Sequence, residues 1–334
     1  MKIFKNRQLL TFTFFILIAM AGCKKNDAKA AQGNDSNGEK FRVIGYFRYQ
    51  GNLVDEASAI NFNMITHLNV AFINPDINGT FTVNEDLKKV AALAHSKGVQ
   101  ILASIGGGNP PAYLSTLINQ ANQAKLIANL VQLTTNNELD GIDVDLEGNF
   151  VDENYESFVV NLAAALKAKK KLITAAVATA YKDSYTDKAL AQFDFINIMS
   201  YDKTGPWNLA NSGQHSPYSM AVEDLAYWNG IRKITKGKLS LGVPFYGYGF
   251  GTNAPASLAF KDIVTAYPGS EDKDEVTVNG GGTVYYNGIS TIKSKTELAL
   301  DKAGGIMMWQ LRQDADGSNS LLGTINTVIK SRKK

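Results

Sequence analysis

Asp140 to Gly148 reads DGIDVDLEG, which puts Asp143, Asp145 and Glu147 at alternate positions with Ile142, Val144 and Leu146 between them. Alternation is the period of a β-strand, so the three acids share one face and the three aliphatics the other. Like charges confined along one face repel, and at neutral pH they cannot all ionise without cost. Sharing protons and hydrogen bonds relieves the repulsion and raises at least one pKa. A carboxylic acid held protonated near neutrality is a general acid, and Glu147 stands at the end of the run, where a substrate would meet it. Two other arrangements fit the same spacing. One is an inward salt-bridge cluster, although the neighbouring candidate strands carry no inward Arg or Lys to complete it. The other is a Mg²⁺ or Ca²⁺ site built from the carboxylates.

Eight short apolar segments must position these acids: 41–47, 65–73, 99–107, 141–147, 172–178, 195–201, 239–245 and 305–311. Amphipathic stretches separate several of them. Asn84 can cap a helix carrying Leu87, Val90 and Leu93, with Gly98 just past its end. Leu126, Leu130 and Leu133 mark a second helix, and Tyr155, Phe158, Leu162 and Leu166 a third. Strands alternating with helices predict an α/β fold of parallel βα units, and a count of eight predicts a (β/α)8 TIM barrel. In such a barrel the aliphatic face of 141–147 packs on helices and the acids point inward, with Glu147 at the C-terminal mouth where barrel active sites sit. No G-x-G-x-x-G opens a helix after the first strand, and SIGGGNPP after the third lacks the Gly-Lys-Ser/Thr ending of a phosphate loop. The longest connection, between Tyr246 and Gly304, is a short insertion between strands 7 and 8. Within it Thr277–Val278 and Thr283–Tyr286, around Asn279-Gly280-Gly281-Gly282, predict a hairpin on the barrel rim.

Four motifs, in order, resemble those of glycoside hydrolase family 18, the chitinases and endo-β-N-acetylglucosaminidases. Asp140 to Glu147 matches D-G-x-D-x-D-x-E, Ser104-Ile105-Gly106-Gly107 matches S-x-G-G, and Met199-Ser200-Tyr201-Asp202 matches M-x-Y-D. Trp309, on the last strand, fits the tryptophan that floors the family's site. The resemblance implies a retaining, substrate-assisted cleavage of β-1,4 bonds after N-acetylglucosamine, in chitin or chito-oligosaccharides. By it, Glu147 is acid then base, Asp145 orients the acetamide, Asp143 exchanges a proton with Asp145, and Tyr201 donates a hydrogen bond near the acetamide oxygen. Asp202 would contact the bound sugar. Tyr46 and Tyr246 are candidates to line it, with core packing the alternative for Tyr46. Ser104 is a candidate beside the acids or a buried serine bonded to backbone. Trp207, in the loop after strand six, is expected to be exposed and to stack on a neighbouring sugar. Asp140 falls on the other parity and is given a structural role, and Trp228 is expected in the core.

Two places depart from the commoner chitinase pattern: Leu146 and Gly148-Asn149 flank the acid in place of aromatics and proline, and Tyr248 stands where arginine is frequent. Substrate identity therefore stays open between chitin and the chitobiose core of N-glycans. A chitin- or glycan-binding lectin that has lost catalysis is a third reading; such relatives usually have a replaced acid, and here all four stand.

The N-terminus adds a location. Lys2, Lys5 and Arg7 precede the apolar run LLTFTFFILIAMAG, which stops at Cys23, the only cysteine. Residues 1–22 read as a signal peptide too short to span a membrane, and Met20-Ala21-Gly22-Cys23 resembles a bacterial lipobox with Cys23 the lipidated residue. Polar residues 23–40 follow as a flexible tether, leaving 41–334 as the catalytic barrel. The expected product is an exported, membrane-anchored lipoprotein of a bacterial cell envelope. Without residues 1–22, Lys plus Arg and Asp plus Glu balance at 31 each, so no basic surface for nucleic acid is implied. His67, His95 and His215 form no ligand motif, and neither a zinc site nor any cofactor is expected. A monomer is expected.

Overall fold

The computed structural model describes residues 40–82 and 85–332. The signal segment, Cys23, the tether up to residue 39 and the cap at Asn84 lie outside the described residues. Seven strands come first: β1 (Arg42–Arg48), β2 (His67–Ala71), β3 (Gln100–Gly106), β4 (Gly141–Asp145), β5 (Leu172–Val177), β6 (Phe195–Ile198) and β7 (Leu239–Pro244). Four short strands follow in the insertion: β8 (Tyr246–Phe250), β9 (Ser257–Ala259), β10 (Glu275–Thr277) and β11 (Thr283–Tyr285). The last is β12 (Gly305–Trp309). Strands β1 to β7 and β12 are all parallel to their neighbours and close a barrel in the order β1-β12-β7-β6-β5-β4-β3-β2. Each falls on one of the eight segments predicted, so the chain is a (β/α)8 TIM barrel.

Strand parity sorts the barrel into an outer and an inner core. Ile142, Val144 and Leu146 are fully buried in the layer between strands and helices, as the alternation requires. The predicted helices lie there too, at Glu85–Ser96, Gln123–Asn136 and Tyr155–Lys167, with Leu87, Val90, Leu126, Leu130, Phe158 and Leu162 on their buried faces. Each such aliphatic or aromatic side chain contributes about 1.5–3 kcal/mol by leaving water. Inside the barrel the composition changes. Ile44, Tyr46, Ala176, Met199 and Met307 share the interior with buried Asn69, Ser104, Asp143, Thr174, Asn197 and Ser240. A polar layer therefore lies beneath the mouth.

The insertion carries the predicted hairpin and more. β10 pairs antiparallel with β11, Thr277 facing Thr283, across a turn in which Gly280 and Gly281 take φ of +100° and +110°. Only glycine enters that region readily. β8 and β9 extend the pair to a four-stranded sheet in the order β10-β11-β8-β9. Among the described residues, no helix is long and apolar enough to cross a membrane.

Candidate active site

Register explains why Asp143 is tolerated inside a barrel. Its Cα partners across the sheet are Ser104 on β3 and Thr174 on β5. Ser104 Oγ donates to Asp143 Oδ2 at 2.7 Å and Thr174 Oγ1 to Oδ1 at 2.5 Å. From β1, the Tyr46 hydroxyl adds a third donor to Oδ2 at 2.7 Å. Burial pushes the Asp143 pKa up, and the Thr174, Tyr46 and Ser104 hydroxyls pull it the other way. Burial is the larger effect, so the pKa stays raised, and the three hydroxyls, each able to donate or accept, suit either charge state. Its partners are neutral donors, so the salt-bridge arrangement is not what the strand builds.

Asp145 lies one step further up and has the opposite environment. It is 3% exposed, and its Oδ1 is buried without a hydrogen-bond partner. Burial first, then the charges of Glu147 and Asp143, raise its pKa well above the ordinary carboxylate value. The Cα opposite it is Gly106, at φ +101°, where an added Cβ would come within 2.1 Å of the Asp145 carbonyl oxygen. Asn74 clamps this glycine, accepting from its N–H at 2.7 Å and donating to its carbonyl at 3.0 Å. Gly107 N–H donates to the Asp145 carbonyl at 2.7 Å. The Ser104–Gly107 motif thus allows the backbone beside the acids to approach closely.

Glu147, half-buried at the mouth, is pushed up to about 7, by burial first and by the charge of Asp202 second. The three acids therefore form a gradient: Asp143 saturated with donors, Asp145 buried and unpartnered, and Glu147 poised to hold or release a proton near neutrality. The titration belongs to the set, because Asp145 and Glu147 each feel a neighbouring acid.

The loop after β6 supplies the facing wall. Tyr201 is buried, and burial together with the charges of Asp145, Asp202 and Glu147 raises its pKa, so it stays a neutral donor. Gly242 makes room for it, since a Cβ there would lie 3.1 Å from the Tyr201 ring. Asp202, at φ +64°, accepts a hydrogen bond from the Tyr246 hydroxyl and lies 3.5 Å from His215 Nδ1. Trp309 on β12 stacks on Phe72 at 5.4 Å and meets the Tyr46 ring at 5.5 Å. Trp207 is 61% exposed and stands edge-on to Tyr248 at 5.4 Å, with Gly205 beneath its ring.

Most of the residues named from sequence meet at this mouth. Ser104 and Tyr46 sit deeper than a sugar contact requires: both are buried, and both hydroxyls are on Asp143. Asp140 accepts from Ile101 N–H and bonds His95 Nε2, tying β4 to β3 and to helix Glu85–Ser96. Trp228 is fully buried, its indole N–H on Thr179. Phe72, at the end of the 65–73 segment, His215, in the loop after β6, and Tyr248, on β8, are brought to the site by tertiary contacts with Trp309, Tyr246 and Trp207. His67, His95 and His215 are dispersed, and among the described residues no group of three or more His, Cys, Asp and Glu is placed to hold a metal ion.

Residues 42–314 match the family model for glycosyl hydrolases family 18, and the chain belongs to that family. It is similar to the chitinase ChiB from the chitin utilization locus of Flavobacterium johnsoniae, at 38% identity and a TM-score of 0.81, covering 88% of this chain and 95% of that one. A chitinase from Bacteroides thetaiotaomicron is 29% identical with a TM-score of 0.75, covering 86% and 96%. A chitinase-like effector from Moniliophthora perniciosa is 25% identical over 293 residues, 73% of this chain. The chain spans 66% of that relative's length.

Proposed function

We propose that the protein hydrolyses β-1,4 bonds after N-acetylglucosamine in chitin or chito-oligosaccharides, by a retaining mechanism in which the substrate's acetamide is the nucleophile. The observation that carries this reading is the gradient along β4, from donor-saturated Asp143 through unpartnered Asp145 to Glu147 at about 7. The acetamide oxygen attacks the anomeric carbon as the glycosidic C–O bond breaks, and Glu147 passes its proton to the leaving oxygen. Tethering the nucleophile to the substrate removes most of the entropy cost of attack. The Asp145 oxygen that lacks a partner accepts from the acetamide N–H and offsets the oxazolinium charge. For this it gives up its proton towards Asp143, whose hydroxyl partners can turn from donating to accepting when it arrives. Tyr201 donates to the acetamide oxygen from the opposite wall. Water then attacks the same carbon as its bond to the acetamide oxygen breaks, gives a proton to the Glu147 carboxylate and leaves the anomeric configuration retained.

Glu147→Gln keeps the size of the side chain and removes the proton. It abolishes turnover of chitotetraose on this reading while chitotetraose still binds; undiminished turnover would sink the assignment. A parallel assay on a high-mannose glycoprotein separates a chitinase from an endo-β-N-acetylglucosaminidase. Binding without cleavage of either by the intact protein would make it a lectin.

We also propose that residues 1–22 direct export and that Cys23 is lipidated, tethering the barrel to a cell-envelope membrane through residues 23–40. A lone cysteine directly after the apolar run supports this. Mass spectrometry of the mature N-terminus tests it, and an unmodified Cys23 would contradict it.

A further inference from the structure

Lys295 is a fully buried lysine outside the acid cluster, on helix Ile289–Lys302 in the outer layer. Its Nζ donates to the Ser216 carbonyl at 2.6 Å, to Ser216 Oγ at 2.6 Å and to Asn287 Oδ1 at 2.7 Å. Ser216 Oγ spends its own proton on the Ser200 carbonyl at 2.7 Å, so towards Lys295 it can only accept. All three partners are therefore acceptors, matching the three protons of an ammonium group. Asn287 closes the knot by donating to the Ser216 carbonyl at 2.9 Å. Burial pushes the Lys295 pKa down to about 7, against the pull of Asp274 and Asp224. An ammonium held at that cost in water needs its hydrogen bonds, and every one it makes is to a segment leading into the site.

The segments matter because of where they lead. Ser200 immediately precedes Tyr201 and Asp202. Ser216 follows His215, whose carbonyl accepts from Lys203 N–H at 2.9 Å and whose ring packs on Tyr246 and Tyr248 at 5.0 and 4.9 Å. Asn287 ends the insertion that carries β8, and with it Tyr246 and Tyr248. We propose that Lys295 is a positioning residue that locks the Ser200–Asp202 turn to the 215–216 loop and to the exit of the insertion, and so presents Tyr201 and Asp202 to the bound sugar. Presentation to a sugar rests on the hydrolase reading; the lock itself does not.

The test uses the full chain with Lys295→Met, which keeps length and removes the charge and the donors, and Ser216→Ala, a milder cut of the same link. Hydrogen–deuterium exchange reads the lock without any need for activity. Both variants should speed exchange in residues 199–216 by about tenfold or more, the scale of one charge-assisted hydrogen bond, with the rest of the barrel unchanged. On chitotetraose, Lys295→Met should lose about tenfold or more in kcat/KM, chiefly through KM. The double variant should fall short of the sum of the two single effects, because the Lys295 Nζ–Ser216 Oγ bond is lost in both. Unchanged exchange in 199–216, acceleration spread evenly over the barrel, or fully additive effects would overturn the proposal. Local acceleration in a protein that cleaves nothing would support the lock and refute the hydrolase reading. If Lys295→Met does not fold, Ser216→Ala decides on the same readout.

Discussion

Replacing Glu147 by Gln should stabilise the protein, and only at higher pH. The folded chain holds Glu147 at about 7 against an ordinary value of 4.5, through burial first and the Asp202 charge second. Between those two values the folded state keeps a proton that the unfolded state has released. Stability therefore falls as pH rises from 4.5 towards 7 and stays lowered above it. A displacement of that size corresponds to about 3 kcal/mol. Glutamine has nothing to ionise, so the variant escapes the penalty, and Asp145 is relieved of a neighbouring charge as well. The variant and the wild type should unfold alike near pH 4.5 and diverge by up to about 3 kcal/mol at pH 8, the variant being the more stable. Urea unfolding followed by the fluorescence of Trp228 and Trp309 measures this at pH 4.5, 6 and 8. A difference that does not change with pH, or a wild type more stable at pH 8, would refute the electrostatic picture of the site.

Asp145→Asn should lower kcat on chitotetraose by about 10²–10³ with little change in KM, because the acceptor matters most as charge develops; a purely KM effect would contradict that role. Gly106→Ala forces a Cβ to within 2.1 Å of the Asp145 carbonyl oxygen at a φ of +101° and should cost at least ~2 kcal/mol in urea unfolding, so an unaltered midpoint would contradict the close approach. Trp207→Ala removes a side chain that is 61% exposed and should leave stability within ~0.5 kcal/mol while raising KM for chitotetraose several-fold. Loss of stability with KM unmoved would make Trp207 a packing residue instead.

The parts of the fold that were legible share a physical signature. Period-two and period-3.6 patterns mark elements buried on one face, so β4, helix Gln123–Asn136 and helix Tyr155–Lys167 all fall where their apolar residues recur. The hairpin of β10 and β11 was announced by its glycines. β8 and β9 were not. LSLGVPFYGYGF reads as one continuous apolar run, yet the chain leaves the barrel at Phe245, whose N–H donates to the Trp309 carbonyl and whose carbonyl accepts from Phe260. Nothing local to the run announces partners more than ten residues away. In the site, Asp143, Asp145 and Glu147 were visible because β4 and the extended residues just beyond it keep all three on one parity. Phe72, His215 and Tyr248 come from the end of β2, the loop after β6 and strand β8, and only the closed barrel brings them to the same mouth. Ser104 was found through its motif and Tyr46 for its place late in strand one, while their common partner Asp143 emerges only from the register of β1, β3 and β4.

On the proposed mechanism, Asp143 and Asp145 of β4 and Glu147 just beyond it drive cleavage through the substrate's own acetamide. Proton NMR of chitotetraose in the first minutes of digestion tests it most directly, by reading the anomer released before mutarotation. The wild type should release the β-anomer, Glu147→Gln should give no product, and the fully deacetylated tetramer, which lacks the nucleophile, should not be cleaved. Release of the α-anomer, or cleavage of the deacetylated tetramer at a comparable rate, would contradict it.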